Sequence, residues 1–165
     1  MRWLCVVGLS LALASCGAGT AQLGKSFDPA DAAFALKPGF GRVEGQAFLR
    51  RDLGIIVTAA GERVFLIPAT PYARERFAGL FGGDKRAYYG NVVDDPPSGY
   101  YDTRRETKVD MSGRFVFEGL APGSYIVATR VFWTEPKSFL TRGGAIYNIV
   151  DVRDYETAFA IVSGK

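Results

Sequence analysis

Residues 110–127, DMSGRFVFEGLAPGSYIV, contain the pattern that decides the fold of this chain. Phe115 and Phe117 are two positions apart, so both point to the same face of a β-strand. Gly113 permits the turn before this strand, and the proline-glycine pair at residues 122–123 turns the chain after it. The stretch therefore predicts two strands of a sandwich joined by a turn. The side chains that it is expected to place in the core are Phe115, Phe117, Leu120 and Tyr125.

Strand-like segments recur on both sides of this stretch. Hydrophobic residues make up 48% of the chain, and 20 glycines and 8 prolines favour many turns over long helices. A further apolar run at residues 53–60 ends at a turn. Several short strands at this spacing predict a sandwich or barrel rather than a parallel sheet flanked by helices. The segments are 39–50, 63–69, 103–110, 113–118, 124–133, 145–152 and 156–162.

One helix is predicted after the third apolar segment. Thr70 suits the N-cap, Pro71 suits the first turn, and the glycine pair at 82–83 ends the helix. Residues 84–101 follow as a long loop that is rich in tyrosine, aspartate and proline. The apolar stripe expected on the helix consists of Ala73, Phe77, Leu80 and Phe81.

The spacing within residues 110–125 resembles the D-x-x-G-x-F-x-F-x-x-L-x-P-G-x-Y signature of carboxypeptidase regulatory-like domains. The resemblance implies an all-β fold, a seven-stranded transthyretin-like or Ig-like sandwich over residues 39–165. It also implies that residues 70–101 are an insertion that carries one short helix. Such domains accompany peptidases, receptors and surface proteins as accessory modules, so the resemblance implies a binding or scaffolding role and no activity.

The first fifteen residues, MRWLCVVGLSLALAS, have the form of a secretory signal peptide. Arg2 supplies the positive start, and the apolar stretch after it is shorter than the roughly 20 residues that span a bilayer. Residues 13–16, LASC, resemble the lipobox of bacterial lipoproteins. The resemblance implies a diacylglyceryl group on Cys16, cleavage before it, and a further acyl chain such as palmitate on the new amine. The alternative is a buried cysteine in an uncleaved apolar helix.

The residues after the cysteine predict a domain tethered to a membrane. Gly17 stands where an aspartate would oppose transfer in enterobacterial lipoproteins, so the resemblance implies the outer membrane of a bacterial cell envelope, facing the periplasm. Residues 16–38 are small, polar and proline-containing, which is typical of a flexible tether. Within them, residues 30–36 either form one helical turn or pack Phe34 on the domain.

The residue types argue against an enzyme. The chain has no histidine, and its two cysteines lie in the leader and at its end, so the processed protein lacks the usual general base and a free thiol. Ser138 beside Lys137 and Ser163 near Lys165 are only neighbours in sequence. We therefore predict no catalytic residue and no cofactor.

The charged residues predict neither nucleic-acid binding nor a metal site. The net charge is +3, and the arginine pairs at 50–51 and 104–105 lie beside carboxylates, as on a solvated strand edge. A calcium site would draw on Asp94 and Asp95 of the long loop, with Asn91 and Asp102. A solvated loop is the favoured interpretation, because no ligand loop of the D-x-D-x-D-G type is present.

Aromatic residues of the long loop are the candidate ligand-binding residues. Rings at one end of a sandwich suit polysaccharides or partner proteins, although about half of them are alternatively expected to cover the open end of the core. Two functions follow: a membrane-anchored envelope lipoprotein that binds or scaffolds an envelope protein, and a carbohydrate-binding module that recognises envelope polysaccharide. The candidates are Tyr88, Tyr89, Tyr100, Tyr101 and Trp133.

Overall fold

The computed structural model describes residues 22–88, 90–135 and 138–165. Two β-sheets face each other, so the predicted all-β sandwich is confirmed. Cys16, Tyr89 and Lys137 lie outside the described residues. Helices α1 and α2 span Pro29–Ala32 and Pro71–Phe81. The described strands are β1 (Gly41–Arg50), β2 (Ile56–Thr58), β3 (Arg63–Pro68), β4 (Arg86–Ala87), β5 (Arg105–Lys108), β6 (Arg114–Leu120), β7 (Gly123–Thr134), β8 (Thr141–Val152) and β9 (Thr157–Val162).

The two sheets differ in how their strands pair. In the four-stranded sheet, β1 pairs antiparallel with β6 and β2 and parallel with β9. The other sheet has the order β4-β8-β7-β3-β5 and is antiparallel throughout. Of the nine described strands, β2 and β4 have only three and two residues. The remaining seven correspond to the seven-stranded sandwich expected from the sequence.

The core between the sheets contains the side chains expected from residues 110–127. Phe115 and Phe117 are each 3% exposed, and Leu120 and Tyr125 are buried beside them. The Tyr125 hydroxyl donates a hydrogen bond of 2.9 Å to the carbonyl oxygen of Ala121, across the turn between β6 and β7. Burial raises the pKa of Tyr125 to about 12. Tyr125 therefore connects the core to the turn between β6 and β7.

Asp110 holds the turn that precedes β6. Its Oδ1 accepts hydrogen bonds from the backbone N–H of Arg114 and from both the backbone N–H and the hydroxyl of Ser112. Gly113 has a φ of +83°, a conformation that glycine adopts without the steric cost of a Cβ. The Arg114 N–H, followed by the Ser112 hydroxyl, lowers the pKa of Asp110. Local hydrogen bonds thus fix the start of β6.

Helix α2 begins and ends as predicted. The Thr70 side chain accepts a hydrogen bond of 3.1 Å from the N–H of Ala73, and Gly82 ends the helix in the left-handed conformation. Tyr72, Ala73 and Phe77 pack against Ile126 on the outer face of the five-stranded sheet. The helix therefore forms a third layer. Among the described helices, none is both long and apolar enough to cross a membrane.

The described part of the expected tether lies against the domain. The Glu75 carboxylate of α2 accepts hydrogen bonds from the N–H groups of Gly24 at 2.8 Å and Lys25 at 2.7 Å. Phe27 then packs edge-on against Tyr72. Both alternatives for residues 30–36 occur together, because α1 runs into a 3₁₀ turn and Phe34 packs on the core. The described part of the tether therefore packs on the domain through Leu23 and Phe27, which lie against the cluster that includes α2, and through Phe34, which lies against the core.

The apolar run at residues 53–60 forms a strand over only part of its length. Strand β2 covers Ile56–Thr58, and a 3₁₀ turn at Asp52–Gly54 precedes it. Leu53 lies in this turn with a φ of 63° and is 99% exposed. The apolar composition of the run thus reflects an exposed turn as well as a strand.

Candidate functional site

The tyrosines of the long loop do not form one surface. Tyr100 is 4% exposed, and its ring packs edge-on against Phe27 and Tyr72. Burial is also the main cause that raises the pKa of Tyr100 well above its ordinary value. Tyr100 is therefore a core residue, and we remove it from the candidate ligand-binding residues. Val93 of the same loop is buried as well.

The other candidate tyrosines contact different elements. Tyr101 is 49% exposed and lies beneath the Arg104 guanidinium, 4.9 Å from the ring centre. Tyr88 is 39% exposed, donates a hydrogen bond to the carbonyl oxygen of Thr141 and meets Phe132 edge-on. Tyr88 thus contacts both strands of the β7–β8 hairpin near its tip, whereas Tyr101 lies against Arg104. Tyr89 lies outside the described residues.

Trp133 lies near the end of β7, directly opposite Arg142 of β8. Its ring is partly buried against the core, and the Arg51 guanidinium lies 5.5 Å from the ring centre. Within the described part of the chain, its indole N–H is buried and has no hydrogen-bond acceptor. Trp133 therefore contacts the core on one side and the guanidinium of Arg51 on the other, at this end of the sandwich.

Four arginines gather around Trp133. They line one depression of about 380 Å³ with it. Arg86 is shared with two neighbouring depressions of about 690 and 290 Å³, so the three adjoin. We call this region the arginine end, defined by Arg50, Arg51, Arg86 and Arg142.

The strands of both sheets bring these arginines together. Arg50 ends β1, Arg142 lies near the start of β8, and Arg86 lies in the edge strand β4. Arg86 also donates a hydrogen bond of 3.1 Å to the carbonyl oxygen of Gly143. A Cβ on Gly143 would lie 1.9 Å from the carbonyl oxygen of Val131, so only glycine lets β8 pair with β7 here.

The charges at the arginine end are incompletely balanced. Arg142 forms an ion pair of 3.3 Å with Glu135. Among the described residues, Arg50, Arg51 and Arg86 form no ion pair. Asp52 and Glu135 line the same depression as the four arginines, so positive side chains outnumber negative ones there by two, and this net charge would attract an anionic partner.

The arginine end is not evident from the sequence. Arg50 and Arg51 are predicted there to lie on a solvated strand edge, because Asp52 follows them. Arg86 and Arg142 are distant in sequence and reach this end only through strand pairing. No local pattern carries that information.

A second surface lies at the opposite end of the sandwich. Phe40 precedes β1, Tyr155 lies in the turn between β8 and β9, and their rings stack at 4.7 Å with an interplanar angle of 10°. They are 68% and 78% exposed. The Phe40 N–H donates a hydrogen bond of 3.0 Å to the Asp154 carboxylate, which holds the two segments together. We call this pair the aromatic platform, defined by Phe40 and Tyr155.

The backbone at Tyr155 is unusual. Its φ is 60°, and a bulky residue rarely adopts this left-handed conformation. Such strain persists where surrounding contacts enforce it, and it concentrates at functional sites. Neither Phe40 nor Tyr155 is among the candidates predicted from the sequence, because no other aromatic residue lies beside either of them in the chain.

The residues considered for metal binding and catalysis form other contacts. Asn91 donates a hydrogen bond to the carbonyl oxygen of Gly79, and Asp94 accepts one from Arg76 through its own carbonyl oxygen. In the described ranges, no group of three or more acidic or thiol side chains could hold a metal ion. Ser138 donates a hydrogen bond of 3.1 Å to Glu135.

The fold is similar to that of PA1324 from Pseudomonas aeruginosa, whose crystal structure is described as that of a "putative carbohydrate binding protein". The TM-score is 0.70 at 24% sequence identity, and the match covers 84% of this chain and 98% of PA1324. No family model matches the sequence, and no curated protein matches it. The similarity shows a shared fold.

Proposed function

We propose that the protein is a lipid-anchored envelope protein whose sandwich binds carbohydrate through the aromatic platform, without catalysis. The observation that carries this proposal is the pair of exposed, nearly parallel rings of Phe40 and Tyr155. The description of PA1324, which shares the fold, supports the same class of ligand.

The chemistry of the platform suits a sugar. An aromatic ring offers a flat apolar face, and the C–H face of a pyranose can stack on it. Charged side chains surround the Tyr155 turn, including an Arg153–Glu156 ion pair of 3.7 Å, and they can exchange hydrogen bonds with hydroxyl groups. When a sugar stacks on the two exposed rings, apolar ring surface leaves water. The loss of side-chain conformational entropy is small, because the rings are already stacked on each other.

The lipid anchor is proposed from residues 13–16. Acylation of Cys16 would place the domain on the periplasmic face of the outer membrane. We propose that the domain has a binding role there and needs no cofactor. Mass spectrometry of the N-terminal peptide tests it. An unmodified Cys16, or a Cys16→Ser variant that is still cleaved before residue 16, would contradict it.

A protein-binding role is the second candidate, and the outer face of the four-stranded sheet favours it. Val116, Glu44 and Phe159 form one row across β6, β1 and β9. Phe159 and Ile161 are 75% and 52% exposed on β9, a strand that in the described sheet pairs with β1 alone. Exposed apolar residues on such an edge are typical of pairing surfaces.

Sedimentation of the full chain with insoluble peptidoglycan, chitin and cellulose tests the carbohydrate proposal. Tyr155→Asn removes the ring, while asparagine tolerates the left-handed backbone. We expect it to weaken binding at least about tenfold, as for a central aromatic contact. Tyr101→Ser is the control, because it removes a half-exposed ring elsewhere. Equal binding by both variants, or binding to none of these glycans, would overturn the proposal.

A further inference from the structure

We propose that the arginine end docks on the surface of a bilayer that contains anionic lipids. The proposal concerns the end of the sandwich opposite the aromatic platform, and it is independent of carbohydrate binding. It rests on apolar side chains at two loop tips and on the arginines between them.

The two loop tips expose apolar side chains to water. Leu53, in the turn between β1 and β2, is 99% exposed, and Phe139, in the β7–β8 hairpin, is 81% exposed. Both have a left-handed backbone, with φ of 63° and 55°. Leu140 and Ile55 beside them are 54% and 52% exposed. Side chains of this kind gain free energy when they leave water for hydrocarbon.

The loop tips and the arginines belong to one surface. Leu53 and Ile55 line the same depression as Trp133 and Arg142. Leu140 lines the neighbouring depression, which Arg86 also lines. Leu53, Ile55 and Leu140 therefore line the same adjoining depressions as the guanidinium groups, and Phe139 directly precedes Leu140.

The guanidinium groups match phosphate groups. Arg50, Arg51 and Arg86 form no ion pair within the part of the chain that the structure describes. A guanidinium binds phosphate oxygens through two parallel N–H groups. Each arginine near an anionic membrane contributes about fivefold in affinity.

The apolar tips favour a bilayer over a soluble acidic polymer. Such a polymer offers negative charge but no hydrocarbon to receive Leu53 and Phe139. Tyr88 and Phe132 are also 39% and 40% exposed at this end, and aromatic rings are common at the level of lipid headgroups. The combination of charge, apolar tips and rings fits the interfacial region of a membrane.

Vesicle flotation of the full chain tests the proposal. All proteins carry Cys16→Ser, so no lipid on this residue contributes and every variant shares the same leader. We expect stronger binding to mixed phosphatidylcholine–phosphatidylglycerol vesicles than to phosphatidylcholine vesicles, with the difference reduced by salt. Leu53→Ser with Phe139→Ser should weaken binding at least about tenfold, and Arg50→Gln with Arg51→Gln about 25-fold.

Leu36→Ser is the control, because it removes a 68% exposed apolar side chain close to Phe34, whose ring packs on Tyr125 near the start of β7, whereas Trp133 lies near the end of that strand. Brominated lipids give a second readout, since they should quench the fluorescence of Trp133 in a Trp3→Phe background. Equal binding to both vesicle types, or unchanged binding by the Leu53/Phe139 variant, would overturn the proposal. Binding to soluble polygalacturonate but not to the mixed vesicles would assign the arginines to an acidic polymer instead.

Discussion

The guanidinium of Arg51 lies 5.5 Å from the centre of the Trp133 ring, so the end of β1 in one sheet contacts the end of β7 in the other. This cation–π contact links the two sheets at the arginine end. It also places a fluorescent side chain beside the charges that we propose for membrane docking.

We expect Arg51→Ala to shift the emission of Trp133 to longer wavelength and to increase its quenching by acrylamide. The guanidinium covers part of the ring, and its loss should cost about 0.5–1 kcal/mol of stability. A Trp3→Phe background leaves Trp133 as the only tryptophan, because the chain has 2. Arg50→Ala is the control, since the Arg50 guanidinium lies over Phe48. Identical spectra for both variants would refute the contact.

Phe117→Ala should lower the free energy of unfolding by about 3–5 kcal/mol, because it leaves a cavity in the core. Phe117 is 3% exposed and packs edge-on against Phe115. Val116 lies between Phe115 and Phe117 on the exposed face of β6. Val116→Ala should therefore change the free energy of unfolding by less than about 0.5 kcal/mol. Urea denaturation measures both. An unchanged free energy of unfolding in Phe117→Ala would contradict the placement of Phe117 in the core.

Tyr100 and Tyr101 should behave oppositely when replaced by serine. Tyr100→Ser removes a buried ring from the contact with Phe27 and Tyr72, so we expect a loss of about 3–5 kcal/mol. Tyr101→Ser should cost less than about 1 kcal/mol, since its ring is half-exposed and contacts Arg104. Thermal unfolding distinguishes the two. Similar melting temperatures would show that Tyr100 is not a core residue.

Asp110→Asn should remove a pH-dependent part of the stability. The folded state lowers the pKa of Asp110 below 3.8, so its ionised form stabilises the fold. This contribution is fully present above that value and is lost as the pH falls through the folded pKa. The melting temperature of the wild type should therefore exceed that of the variant at pH 7 and converge with it in strong acid. A difference in melting temperature between the wild type and Asp110→Asn that stays constant with pH would exclude this role.

Local signals in the sequence predicted the elements whose boundaries depend on neighbouring residues. Helix α2 has its cap at Thr70 and its glycine at position 82, and β6 has its period of two at Phe115 and Phe117. Each signal acts within a few residues, so it needs no knowledge of the remaining fold.

Contacts between distant segments were not predictable in this way. Tyr100 is buried because Phe27 lies over it, and nothing near Tyr100 in sequence indicates that partner. Phe40 and Tyr155 form a platform only because the start of β1 lies beside the turn before β9. The composition of the long loop suggested a binding surface, whereas its packing against α2 decided which rings remain exposed.

The hydrogen bonds from Gly24 and Lys25 to Glu75 limit how far the domain can move from a lipid on Cys16. A free connection from Cys16 to the start of the sandwich at position 39 would extend to about 80 Å, but the distance from Cys16 to Leu23 is at most about 25 Å. Under the proposed acylation, the domain would sample only a thin shell above the bilayer. Its local concentration near that surface would be correspondingly high, so even a weak contact between protein and lipid would be occupied much of the time.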